Sequence, residues 1–250
     1  IRFESDTSVA RDMFLNDYVE GSLPFRGINY NKPEIIQSTR RVINQPGSVL
    51  IEFLYKNLER GNYRFEVETE SESDGEDEDE SLNLYQARDF GVRSANYPAV
   101  TSVYELAAPL QYLMTDKEYD NLISSSDPDT VKLKMDRFWL KNVKDPKVAR
   151  NVIALYYERV EEANKLFASF KEGWKTDMGM IYILFGPPWV SDQSLTSLVW
   201  AYSYNRADPE TNFFFRAPRL KTNDYPFDNF LLQRSNFYFS IHNRQLQLWL

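Results

Sequence analysis

The sequence predicts an α+β protein in which an N-terminal β-sandwich-like module precedes three helices packed on a mostly antiparallel sheet. Three observations predict it. Short apolar or alternating runs separated by turn residues fill the first hundred residues, three helix-start signals follow one another between about 103 and 150, and past Gly173 the apolar period returns to two. The expected division is residues 1–100 for the β module and 104–250 for the α+β domain.

In the first part, Ile1 to Phe3 and Ile35 to Val42 are strand-like, while Pro24, Gly27 and Pro33 punctuate the stretch around them. Val49-Leu50-Ile51-Glu52-Phe53-Leu54 follows Pro46-Gly47 as a short apolar run, and Tyr63 to Val67 alternates apolar with polar. Gly61-Asn62 is the expected turn between these two strands, and Leu82 to Val92 is a third.

Tyr104 to Ala108 opens the helical region. Thr115 stands three residues before Glu118, a capping box in which hydroxyl and carboxylate each satisfy a backbone donor, so a helix is expected over 116–125. Asp127-Pro128 and Asp145-Pro146 each place a capping acid before proline at the first helical position. The second helix presents Val131, Met135, Phe138 and Trp139 on one face and stops near Asn142. The third presents Val148, Val152, Leu155, Tyr156, Ala163, Phe167 and Phe170. Met180 to Phe185, apolar on both alternations and ended by Gly186-Pro187-Pro188, predicts a central strand. Ser197 to Tyr204, Asn212 to Arg216, Asn236 to Ile241 and Gln245 to Leu250 predict further strands.

Composition removes several chemistries. The chain has 250 residues, no cysteine and one histidine, His242. Disulfides, thiolate ligands, cysteine nucleophiles and two-histidine metal sites are therefore excluded. His242 lies in a strand-like context and reads as an edge or surface residue. No stretch of eighteen uncharged apolar residues is present, so no membrane span is expected, and no basic and apolar leader follows Ile1.

The acidity is local: residues 66–80 hold ten carboxylates and no base, and without them the net charge of −8 becomes +2. Such a block repels itself and reads as a solvated loop. Asp74, Gly75 and Asp77 miss the spacing of a calcium-binding loop, which leaves only adventitious divalent binding open. A near-neutral remainder without a basic stripe disfavours nucleic acid. No nucleophile elbow, phosphate-binding loop or zinc-binding helix motif occurs, and with thirty-seven acids no single carboxylate pair is informative. No cofactor, metal ligand or catalytic residue is assigned.

The segment Phe170-Lys171-Glu172-Gly173-Trp174-Lys175-Thr176-Asp177-Met178-Gly179 and its continuation to Pro188 resemble the GWxTD-domain family of bacterial proteins. Pro109 to Tyr119 and Met135 to Leu140 resemble the same family's helical section in the same order, so the likeness covers about residues 104–250. The resemblance implies export from cells of Bacteroidota and related lineages, often with a β-sandwich ahead of the named domain, and brings no catalytic residues. Absence of cysteine and of a leader agrees with a mature exported chain or fragment.

Physically, the family residues Gly173, Trp174, Thr176, Asp177, Gly186, Pro187 and Pro188 read as a corner. Gly173 would cap the long helix in a left-handed conformation, Trp174 would lie in the core, and Thr176 and Asp177 would tie down backbone amides. The alternative makes Asp177 a base or ligand beside Tyr182 or Lys175. Aromatic residues reach 15%, and Phe213-Phe214-Phe215 and Phe237-Tyr238-Phe239 exceed what one strand face buries. Phe213, Phe215 and Tyr238 are the candidate contact residues. The expected function is a non-enzymatic, exported interaction or scaffold component of an envelope or extracellular assembly, with protein partners. A carboxylate-based polysaccharide hydrolase and a carbohydrate-binding module stand as alternatives.

Overall fold

A computed structural model describes residues 1–13, 27–45, 47–69, 84–203, 211–217 and 230–250. The chain divides into two compact units: Ile1–Asp6 with Arg26–Ser94, and Thr7–Phe25 with Ala95–Leu250. Of the described residues, 7–13 thus belong with the second unit, although they lie early in the sequence. No helix among the described residues is long and apolar enough to cross a membrane.

In the first unit, β1 (Arg2–Ser5), β2 (Ile28–Glu34), β3 (Gly61–Glu68) and β4 (Tyr85–Val92) form an antiparallel sheet in the order β2-β1-β3-β4. Gly61 and Asn62 begin β3 instead of forming a turn. One face carries Phe3 edge-to-face with Tyr30 at 4.9 Å, while Arg64 holds Asp89 through two bonds of 2.7 and 3.1 Å. The other face carries Tyr63 stacked on Phe90 at 5.6 Å. The strands expected at Ile35 to Val42 and at Val49 to Leu54 are absent: both stretches lack regular structure and most of their side chains are exposed. Strand propensity there finds no ladder to join. Most of the acidic block, from residue 70, lies outside the described residues.

The second unit contains the helices α1 (Val103–Ala107), α2 (Asp116–Ile123), α3 (Pro128–Asn142), α4 (Pro146–Leu166), α5 (Asp177–Phe185) and α6 (Tyr238–Trp249). Its sheet is antiparallel, β5 (Val190–Gln193), β6 (Ser197–Ala201), β7 (Asn212–Arg216) and β8 (Leu231–Leu232), paired in sequence order. The capping chemistry is local, and it forms as read. Thr115 and Glu118 complete a capping box on α2, Asp127 accepts from Thr130 N–H on α3, and Asp145 accepts from Lys147 and Val148 N–H on α4. On α4 the buried face is Ala149, Tyr156, Val160, Ala163 and Asn164, which leaves Val148 and Leu155 exposed.

Two elements differ from expectation. Met180 to Phe185 belongs to α5, a helix buried from Asp177 through Leu184 and packed against α4, α6 and β8. A run that is apolar at every position has no period, so a central helix and a central strand share the same letters. Asn236 to Leu250 is likewise not two strands: α6 buries Tyr238, Ile241, His242 and Trp249, whose spacings of three, one and seven suit a helix. His242 is consequently interior and not an edge residue.

Candidate functional site

The family residues meet where α4 ends, α5 begins and β8 passes. Gly173 is not a left-handed cap of α4, which already stops at Leu166; it opens a short 3₁₀ turn, Gly173–Lys175. Its missing side chain serves a close backbone crossing, since a Cβ there would lie 1.9 Å from the Ala163 carbonyl oxygen. One turn on, a Cβ on Gly179 would lie 2.0 Å from the Gly173 carbonyl oxygen, so α4, the 3₁₀ turn and α5 are packed backbone to backbone.

Trp174 is buried, and its ring meets Tyr112 edge-to-face at 6.2 Å. Tyr112 Oη–H donates to the Trp174 carbonyl at 2.8 Å, and Trp174 N–H donates to Asn164 Oδ1 at 3.2 Å. Burial, reinforced by the charge of Asp177, raises the Tyr112 phenol well above its ordinary range, so it acts as a permanent donor. Asn164 also donates from Nδ2 to the Pro98 carbonyl at 2.9 Å. Thr176 caps α5: its hydroxyl donates to the Gly173 carbonyl at 2.7 Å and accepts from Gly179 N–H at 2.9 Å.

Asp177 occupies the first turn of α5 with both oxygens engaged. Arg234 grips it bidentately, Nη2 to Oδ1 at 2.8 Å and Nη1 to Oδ2 at 3.1 Å, and Leu232 N–H donates to Oδ2 at 2.8 Å. The pair is interior, with side chains 7% and 6% exposed. Arg234 also donates to the carbonyls of Arg11 at 3.1 Å and Asp12 at 3.0 Å, while Ala10 N–H donates to the Lys175 carbonyl at 2.9 Å. One carboxylate thereby ties the start of α5 to β8 and to the segment 7–13, whose Met13 is fully buried.

The other proposed neighbours of Asp177 are turned elsewhere. Lys175 Nζ pairs with Glu172 at 2.8 Å and lies over the Trp174 ring at 5.5 Å. Tyr182 Oη–H donates to Glu162 at 2.8 Å, and burial together with that bond pushes its phenol up to about 12. At the far end of α5, Gly186 takes φ +81° and Arg159 donates to the carbonyls of Ile183 at 3.2 Å and Leu184 at 3.3 Å, which closes the helix C-terminus. Burial lowers the Arg159 guanidinium somewhat. Pro187 is exposed and Pro188 half-buried, and they lead into β5.

The aromatic contact residues are corrected by burial. Phe213 packs on Phe185 at 4.8 Å and on Tyr238 at 4.9 Å, and Phe215 packs on Trp200 at 5.1 Å. Phe213, Phe215 and Tyr238 are interior, so none forms a contact surface. The alternate rings Phe214, Phe237 and Phe239 are the exposed ones, with Trp189 and Leu195. Among the described residues no group of three or more His, Asp or Glu side chains could hold a metal ion.

Sequence reasoning missed Tyr112, Asn164, Gly179 and Arg234. Gly179 follows the Thr176 cap at the capping distance and could have been read. Arg234 could not, because nothing local marks one arginine as the partner of an acid 57 positions earlier. A search of the curated proteins and of the solved structures returned no match. The family model of the GWxTD domain matches residues 78–250, taking in β4 and everything from Ala95 onward in the second unit. With that match spanning more than half its length and the motif residues seated as one packed corner, the chain belongs to the GWxTD-domain family.

Proposed function

We propose that this chain is a non-catalytic interaction or scaffold component of an exported bacterial assembly, placed in the envelope or outside the cell and working through protein partners. The observation that carries this reading is the state of Asp177: its two oxygens take three hydrogen bonds, from Arg234 twice and from Leu232 N–H, in an interior position. A general base needs a free lone pair within reach of a substrate proton, and this carboxylate has its acceptors directed inward. Phe214, Phe237, Phe239, Trp189 and Leu195 supply exposed apolar surface on the same unit, the composition expected of a contact site. Export is the part of the reading that rests on the family resemblance.

The test is photo-crosslinking in the native host from a reactive residue at position 237 or 239. A discrete adduct with a co-fractionating envelope or extracellular protein is expected. The reading fails if the purified chain hydrolyses an envelope polysaccharide and Asp177→Asn abolishes that turnover without lowering the melting temperature.

A further inference from the structure

The first unit carries an anomaly that the family motif does not touch. Between Ile35 and Tyr55, eight large apolar side chains are exposed in one stretch without regular structure, among them Val42 at 76%, Leu50 at 77% and Leu54 at 88%. Folded chains rarely leave so many neighbouring apolar groups in water. The sequence of this arm is nonetheless that of a strand, alternating as Val49, Ile51, Phe53, Tyr55 against Leu50, Glu52, Leu54, Lys56. Arg41 Nη1 donates to the Leu50 carbonyl at 3.3 Å, which draws the preceding half of the arm alongside. Phe53 meets Phe65 of β3 edge-to-face at 5.3 Å. The same sheet face, at Phe65, Val67, Gln86 and Arg88, is hollowed by an open depression of about 310 Å³. The arm therefore has the sequence pattern of a strand and, among the described residues, no ladder to join.

We propose that residues 50–58 pair antiparallel with the same residues of a second copy, about a two-fold axis through Leu54. Charge selects the occupant and the register. An isologous antiparallel pair sets residue i opposite a residue whose number is fixed by the axis. With the axis at Leu54, Glu52 faces Lys56 of the second copy twice, Phe53 faces Tyr55 twice, Leu50 faces Leu58 twice and Leu54 faces itself. Moving the axis to position 52 sets Glu52 against Glu52, and moving it to 53 sets Glu52 against Leu54 and Leu50 against Lys56. An axis at 55 sets Leu54 against Lys56. Leu54 is the one axis position in this range that opposes the acid to the base, and it also pairs Leu50 with Leu58, Phe53 with Tyr55 and Leu54 with itself, leaving Ile51 opposite Asn57. The dimer closes because a two-fold contact uses the same edge of both arms.

The experiment measures the molar mass of the full 250-residue chain by light scattering after size exclusion at micromolar concentration. The native chain is expected at twice its 29.5 kDa. Leu54→Lys, which sets two like charges on the axis, is expected at the single mass with an unchanged far-ultraviolet circular dichroism spectrum, because the side chain it replaces is exposed in the single chain. Glu52→Lys is expected to weaken the dimer at least tenfold, and Glu52→Lys combined with Lys56→Glu is expected to restore it, since the swapped pair is again complementary. A native chain of single mass, a Leu54→Lys chain that stays dimeric, or a double swap no better than Glu52→Lys overturns the proposal. The crosslinking test of the second unit is independent, so either idea can fail alone.

Discussion

Breaking the Asp177–Arg234 pair distinguishes a corner from a reactive centre. Arg234→Met leaves the carboxylate interior and without its counter-charge, for which buried pairs lose about 3–5 kcal/mol. The guanidinium also serves the carbonyls of Arg11, Asp12 and Leu232, at about 0.5–1.5 kcal/mol net each, so the loss belongs at the upper end of that range. For a unit of this size about 2–4 °C accompanies each kcal/mol, and the melting temperature should fall by roughly 10–20 °C. Asp177→Asn keeps an acceptor for Leu232 N–H and should cost about 3 kcal/mol. Because each single change strands the other's partner, the double variant should cost less than the sum, by about 1–3 kcal/mol. Denaturant unfolding followed by tryptophan fluorescence is the assay, and it reads this unit selectively, since all five tryptophans lie beyond residue 95. Single variants that unfold within about 0.5 kcal/mol of the parent, or a coupling smaller than that, would refute the reasoning.

Three further outcomes are expected. Gly173→Ala sets a methyl 1.9 Å from the Ala163 carbonyl oxygen, with backbone on both sides of the clash, and should cost about 4–5 kcal/mol or more, read as loss of a cooperative unfolding transition. Thr176→Val removes the acceptor for Gly179 N–H and should cost about 2 kcal/mol, whereas Thr176→Ser, which keeps the hydroxyl, should lose about 1 kcal/mol or less in the same assay. Burial holds the His242 imidazole below its ordinary range, with Asp12 pulling weakly the other way. Below about pH 6.5 the unfolded chain therefore binds a proton that the folded chain resists, and stability must fall as pH drops through that point. In melts between pH 7 and pH 5, His242→Gln should show a shallower decline than the parent.

What could be read from the sequence was chemistry acting within one turn. Thr115 with Glu118, Asp127 before Pro128 and Asp145 before Pro146 each bond their own helix, so three starts were visible. Strands that alternate because one face is buried, such as Tyr63 to Val67 and Asn212 to Arg216, were visible for the same reason. The failures lie where tertiary surroundings replace local signals. α5 is apolar all round because α4, α6 and β8 enclose it, so its letters no longer report a period. In α6 the adjacent rings Phe237, Tyr238 and Phe239 mimic alternation, while the helical spacing of Tyr238, Ile241, His242 and Trp249 carries the true signal. Val49 to Leu54 fails in the opposite sense, since its strand pattern is intact and the described residues hold no partner strand for it.

The same geometry explains how a segment rich in reactive residue types can be inert. Trp174, Lys175, Thr176 and Asp177 each present a polar group, and each group already has a partner within the corner: Asn164 for the Trp174 backbone amide, half-buried Glu172 for the lysine, Gly173 and Gly179 for the threonine, Arg234 and Leu232 for the acid. For Asp177 to take a proton from a substrate, Arg234 would have to release it. At about 3–5 kcal/mol, with 1.4 kcal/mol for each tenfold, the released state would be about two to four orders of magnitude rarer than the bound one. Release would also loosen the hold on residues 11 and 12, so the acid could be freed only by partly undocking the segment that contains Met13. A carboxylate whose exposure requires local unfolding is poorly placed to act as a base, and well placed to make the start of α5, β8 and the chain's early segment fold together.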